Sequence, residues 1–122
     1  SASRMGATRE QMEAQLAGLH AIEVAHAVSD SSVDGIKVVT GDAIALVDGR
    51  IVTSANSLEE ALLAALGPLA AEASLVTIYL GAGADFASGP AVQRLITDTH
   101  SHLEVEVLPG GQPHYPYLAS VE

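Results

Sequence analysis

The pattern that most narrows the fold lies in the second half of the chain. Leu75 to Leu80 is a nearly continuous apolar run, Ser88 to His100 shows helical spacing, and Leu103 to Leu108 alternates. A short unbroken apolar run reads as a strand covered on both faces. Val92, Leu95, Ile96 and Thr99 then share one side of a helix, and Glu104 and Glu106 point away from the apolar side of the last segment. Strand, helix, strand at this spacing predicts a right-handed crossover joining two parallel strands.

The first half adds antiparallel pairing. Asp48-Gly49 separates Ile44-Ala45-Leu46-Val47 from Arg50-Ile51-Val52-Thr53. A type I′ turn needs positive φ at both central residues, and Asp-Gly supplies it, so a hairpin is expected. Upstream, Thr8 with Gln11 reads as a capping box, and Met12 and Leu16 give an apolar stripe before Gly18 closes the helix. Residues 19–28 change period: Ile22, Val24 and Val28 share a face with His20 and His26, which predicts a strand, although the intervening alanines also suit a helix. Ser29 to Gly35 reads as a polar loop with a turn at Asp34-Gly35, followed by a short strand from Ile36 to Val39. Ser57 and Glu60 form a second capping box, opening a helix with Leu58, Leu62, Leu63, Leu66 and Leu69 along one side; Gly67-Pro68 is expected to end or kink it.

These elements predict an α/β fold, a two-layer sandwich with a mixed β-sheet and about three helices mainly on one face. Residues 1–8 are expected to be a flexible amino-terminal segment or a cloning remnant, and residues 9–122 a single α/β domain. A chain of 122 residues buries roughly two-thirds of its unfolded surface, enough to fold alone. Only four residues are aromatic, so the core must be aliphatic. With no cysteine, disulfides, thiolate metal sites and cysteine nucleophiles are all excluded. No stretch reaches the ~18 uninterrupted apolar residues of a membrane helix, and the amino end lacks a signal-peptide pattern, so a cytoplasmic protein without membrane insertion is expected. Net charge is −10, and the five basic residues, Arg4, Arg9, Lys37, Arg50 and Arg94, are scattered. Phosphate neutralisation needs clustered Lys and Arg, which argues against nucleic acid as a partner.

Candidate chemistry is sparse. His100-Ser101-His102, with Asp98 nearby, has metal-ligand residue types, but the group straddles a predicted helix end, where histidines cap or face solvent. His20 and His26 lie six residues apart on one strand, roughly 20 Å by the rise of a strand, too far to share an ion. Gly81-Ala82-Gly83-Ala84-Asp85 sits between a strand and a helix, where phosphate-cradling loops occur. It lacks the third glycine of a dinucleotide fingerprint and the Lys-Ser/Thr of a P-loop, so it reads as an ordinary connection. Asp42 and Asp48 read as turn residues. No serine, histidine and aspartate set emerges from the spacing, so no catalytic or metal residue is nominated.

The last thirteen residues, Gly110 to Glu122, carry two of the three tyrosines. Gly110-Gly111 permits positive φ, while Pro113 and Pro116 fix φ and favour extended geometry nearby, which predicts a stiffened corner. Tyr117 to Val121 then alternates as a terminal strand. Two readings of Gly110, Gly111, Gln112, Pro113, His114, Tyr115, Pro116 and Tyr117 stand side by side. One is a rigid corner that positions the last strand, with Tyr115 or Tyr117 covering an apolar edge. The other is a docking surface, since amphipathic tyrosine rings bind at low entropy cost and Gln112 offers paired donors and acceptors.

The segment GGQPHYPYLASVE resembles the carboxyl end of the catalytic subunit of bacterial fatty acid kinases, a dihydroxyacetone-kinase-like family once grouped with phosphatases. Three further pieces match in the same order: Gly41 to Val52, Ser57 to Leu63, and Leu75 to Gly81. The resemblance runs from about residue 9 to the end and concerns only the final portion of such a subunit. It implies the second lobe of the fold shared by DegV-type fatty-acid-binding proteins and dihydroxyacetone kinases. It also implies a longer parent that uses ATP and magnesium, bound in a separate kinase domain, to phosphorylate the carboxylate of a fatty acid held by a DegV-type partner. By that resemblance this chain is a noncatalytic, cofactor-free module that helps dock the acyl-carrying partner. The alternatives are a structural or self-association module, with a homodimer as its product, and more remotely a small hydrolase.

Overall fold

The computed structural model describes residues 18–84 and 88–122, together with Arg9, which is helical. In chain order these residues form β1 (His20–His26), β2 (Ser31–Val33), β3 (Ile36–Val38), β4 (Ala43–Val47), β5 (Arg50–Ala55), α1 (Leu58–Ala70), β6 (Leu75–Leu80), α2 (Ser88–Thr99), β7 (Glu104–Pro109) and β8 (Tyr117–Val121). Six strands make one sheet in the order β5-β4-β1-β8-β6-β7, and β2 pairs with β3 separately. The mixed α/β sheet is as expected, but the described residues contain two helices where about three were expected. Apart from Arg9, the helix expected before Gly18 lies outside the described residues, as do residues 1–8.

The crossover is present: β6 and β7 pair in parallel, with Val76 opposite Val105 and Ile78 opposite Val107, and α2 connects them. The terminal strand sits in the middle of the sheet. Strand β8 is antiparallel to both neighbours, and Ala119 lies opposite Ile22 on one side and Ile78 on the other. It thereby joins the antiparallel half, β5-β4-β1, to the parallel half, β6-β7. Tyr117, Ala119 and Val121 alternate inward and are buried. They enter one apolar cluster with Ile22, Val24, Val76, Ile78 and Val105 of the sheet, Leu62 and Leu66 of α1, and Val92 and Ile96 of α2. Both described helices therefore cover the same face, and each fully buried Leu or Ile contributes roughly 1.5–3 kcal/mol.

Turn chemistry sets the antiparallel half. Asp48 and Gly49 have φ of 51° and 85°, as a two-residue I′-type connection requires, and Val47 faces Arg50 across it. A register shift after Ala45 bulges Val52 outward. The polar segment before Gly35 differs from expectation. Ser31–Val33 pairs with Ile36–Val38 through a second two-residue turn, Asp34 and Gly35, with φ of 51° and 79°. All three β2 residues are exposed, so no apolar alternation marks the strand. Val28 also departs from expectation: β1 ends at His26, and Val28 is 92% exposed.

Helix α1 starts where its cap predicts. Ser57 is extended, and its side chain accepts the Glu60 N–H at 3.1 Å. Glu60 closes the box one residue early, accepting from Asn56 N–H at 3.3 Å. Gly67-Pro68 does not end the helix, which continues to Ala70. Proline leaves the Ala64 carbonyl without an intrahelical partner, but Ala64 and Pro68 are both exposed, where water satisfies a carbonyl. In α2 the inward face is narrower than expected: Gly89, Val92 and Ile96 are buried, while Leu95 is exposed and Thr99 turns its hydroxyl back to the Leu95 carbonyl.

Candidate functional site

The corner between β7 and β8 is bolted to the end of β6. Gly110 and Gly111 N–H groups donate to the Leu80 carbonyl at 2.8 and 3.1 Å, Gly81 N–H donates to Pro116 O at 2.9 Å, and Ala82 N–H donates to Gln112 O at 2.8 Å. The Gln112 side-chain amide completes the lock, donating to Tyr79 O at 2.7 Å and Tyr115 O at 2.9 Å. Both amide hydrogens are thus spent inside the corner. A side chain at Gly110 would collide with Gln112 and Tyr79, and one at Gly81 with Gln112 and the Tyr115 carbonyl. Backbone approaches this close require glycine.

The tyrosines have separate roles. Tyr117 is 1% exposed. Its hydroxyl donates to Glu59 Oε1 at 3.3 Å and lies 3.4 Å from Ser88 Oγ, which ties the starts of α1 and α2 together. Burial raises its pKa above the ordinary phenol value, opposed by the Ser88 contact and assisted by the Glu59 charge. Tyr115 is half-buried beside Glu23, whose charge is the main cause of a raised pKa, followed by burial and the hydrogen bond between them. Pro116 is buried, whereas Gly110, Gly111, Pro113 and His114 are exposed. Of the eight residues singled out from the sequence, Pro116 and Tyr117 face the interior and Gln112 is committed to the backbone. Pro113, His114 and one edge of Tyr115 face outward.

The histidines separate. His102 Nε2 lies 2.7 Å from the Ala70 carbonyl, so the ring caps the end of α1, where α2 had been the helix expected to benefit. The His100 and His102 rings stand edge to face with centroids 6.3 Å apart. Among the described residues, no three His, Asp or Glu side chains converge to hold an ion. His26 Nδ1 lies 3.2 Å from the Gly41 carbonyl. Asp42 is a turn residue, accepting from Val39 N–H at 3.0 Å and from Ser54 Oγ at 3.0 Å. The Gly81 and Ala82 amides are spent on the corner. Asp85 lies outside the described residues.

One pairing was not anticipated. His20 Nδ1 lies 2.6 Å from Asp48 Oδ2, while Asp48 Oδ1 accepts the Ala21 N–H at 2.9 Å. The turn aspartate therefore pins the β4–β5 hairpin tip to the start of β1, a long-range contact that neither residue's local pattern signals. These groups border a shallow hollow of about 230 Å³ with Leu19, Glu23, Gly49 and Ser120. That is below the roughly 300–1,000 Å³ of small-molecule sites.

A family model for the C-terminal portion of FakA-like fatty acid kinase subunits matches residues 1–122. The chain belongs to this family. Proteins of Staphylococcus aureus strains USA300 and N315 are each 31% identical to it over 121 residues, covering 95% of this chain and 22% of theirs. A protein of strain MRSA252 is 30% identical over the same length. The chain thus spans about a fifth of the length of these curated relatives. Among solved structures, a DegV family protein from Thermus thermophilus, described for fatty acid binding, superposes with a TM-score of 0.54 at 13% identity. The match covers 98% of this chain and 52% of that one. At this identity the likeness establishes the fold, a lobe within a DegV-type architecture.

Proposed function

We propose that this chain is the noncatalytic carboxyl-terminal module of a larger fatty-acid-kinase-like protein, where it helps dock the partner carrying the acyl group. The parent then transfers the terminal phosphoryl group of ATP to the fatty acid carboxylate. The supporting observation is the family match across the whole chain, read together with a corner whose backbone is locked while Pro113, His114 and the Tyr115 edge remain presented. A rigid presenting loop suits docking because little order is left to lose on binding. It also suits a kinase that must place a carrier-bound carboxylate in line with ATP, where small misplacements are costly. In this reading nucleotide and magnesium belong to the parent's other domain, in keeping with Gly81 and Ala82 amides that are already engaged by the corner.

Calorimetric titration of this chain with a DegV-type fatty-acid-binding protein, loaded with a long-chain fatty acid, tests the reading. Saturable binding is expected. A folded chain that gives no heat, and that is a tight dimer by light scattering, belongs instead to a self-association module.

A further inference from the structure

Both described helices pack on one face of the sheet, and the other face carries a row of side chains aligned across all six strands. Register places Ile51 opposite Leu46, Leu46 opposite Glu23, Glu23 opposite Leu118, Leu118 opposite Tyr79, and Tyr79 opposite Leu108. A sheet with one solvated face ordinarily shows polar residues there. Here five of the six positions are apolar or aromatic, and exposure is greatest towards the β7 edge, where Tyr79 is 38% and Leu108 41% exposed.

The corner adjoins this row. Gln112 bonds the Tyr79 carbonyl, a side chain on Gly110 would strike Tyr79, and the Tyr115 hydroxyl meets Glu23 in the middle of the row. Flanking rows add Ser120, Thr77 and Glu106, then Leu75 and Glu104. Every charged side chain that the six strands place on this face is a carboxylate: Glu23, Glu104 and Glu106. Arg50, next to Ile51 in an alternating strand, points to the opposite side, while Lys37 lies in β3 and Arg94 in α2.

We infer that the docking surface extends from the corner onto the β8-β6-β7 part of this sheet face, and that its occupant is an apolar patch flanked by Lys or Arg on the acyl-carrying partner. This rests on the proposed docking function and specifies where the partner sits and what chemistry it presents. Leu118, Tyr79 and Leu108 supply the apolar contact. Glu104 and Glu106, both exposed on the edge strand, supply an acidic flank that selects a basic rim and speeds encounter at low salt. An apolar strip bordered by charge is the arrangement expected of a protein contact.

The test titrates the fatty-acid-loaded DegV-type protein into the wild-type chain, Leu108→Ser, the double variant Glu104→Gln/Glu106→Gln, and His114→Ala in the corner. Leu108→Ser is expected to weaken binding about tenfold. The glutamine pair, on an exposed strand edge and close to isosteric, is expected to weaken binding about threefold at low salt and to flatten its salt dependence. Wild-type binding that survives both changes, but falls in His114→Ala, overturns the sheet face while leaving the docking function standing. A wild type that does not bind overturns the docking function itself. A dimer lost in Leu108→Ser assigns the face to a second copy, and a large drop in thermal midpoint in that variant assigns it to the chain's own fold; either result overturns the inference.

Discussion

Tyr117 shows how much one side chain does here. Its ring fills the core between the two helix starts, and its hydroxyl bonds Glu59 and approaches Ser88. Tyr117→Phe keeps the packing and removes the polar tie, which should cost about 0.5–1.5 kcal/mol in urea unfolding. Tyr117→Ala also empties the space and should cost about 3–5 kcal/mol, the range for large aromatic deletions. Tyr115 and Tyr117 both have pKa values raised above the ordinary 10.0. The folded state therefore holds these protons more tightly than the unfolded chain. The resulting stabilisation is whole below pH 10 and declines as pH rises through the folded values, so Tyr117→Phe should show a shallower alkaline loss of stability. The sequence distinguished these tyrosines poorly. Both stand beside prolines in one segment, and only the inward alternation of β8 decides that Tyr117 is core.

The elements most legible beforehand were those whose ends carry their own chemistry. Asp48-Gly49 and Ser57 each satisfy a local backbone demand, so the hairpin and the start of α1 follow from a few residues. Ser57→Ala should cost about 1 kcal/mol by loss of the bond to Glu60 N–H, measured by chemical denaturation. Elements held by tertiary context were less legible. The strand β2 has no apolar face and exists because Asp34-Gly35 turns it onto β3 and because Asp30, accepting from the Thr40 N–H and hydroxyl, holds the base of that arm. Helix α1 passes Pro68 because the freed carbonyl faces water, a circumstance that residue type alone does not reveal. The candidate site was legible as a stiff corner, but Gln112 proved to be part of its lock, and the sheet face beside it depends on strand order.

Strand order is the property of the whole molecule that periodicity does not contain. The last strand completes the sheet between β1 and β6, so contacts distant in sequence join the two halves. A chain ending at Pro109 would leave both neighbours with unpaired edges and the core without Tyr117, Ala119 and Val121. It should lose the sigmoidal urea transition seen by circular dichroism; retention of that transition would show that the halves are independent. At this scale the proposed function makes the domain a scaffold that presents a corner and a sheet face. Two of its histidines are tied into the structure, His20 by Asp48 and His102 by the Ala70 carbonyl. The most direct test of the proposed role in recognition is steady-state acyl phosphate formation by the proposed parent kinase carrying His114→Ala and Leu108→Ser in this domain. The account predicts that KM for the acyl-loaded partner rises by a larger factor than kcat falls, whereas a fall in kcat at constant KM would place this domain in the chemical step and contradict it.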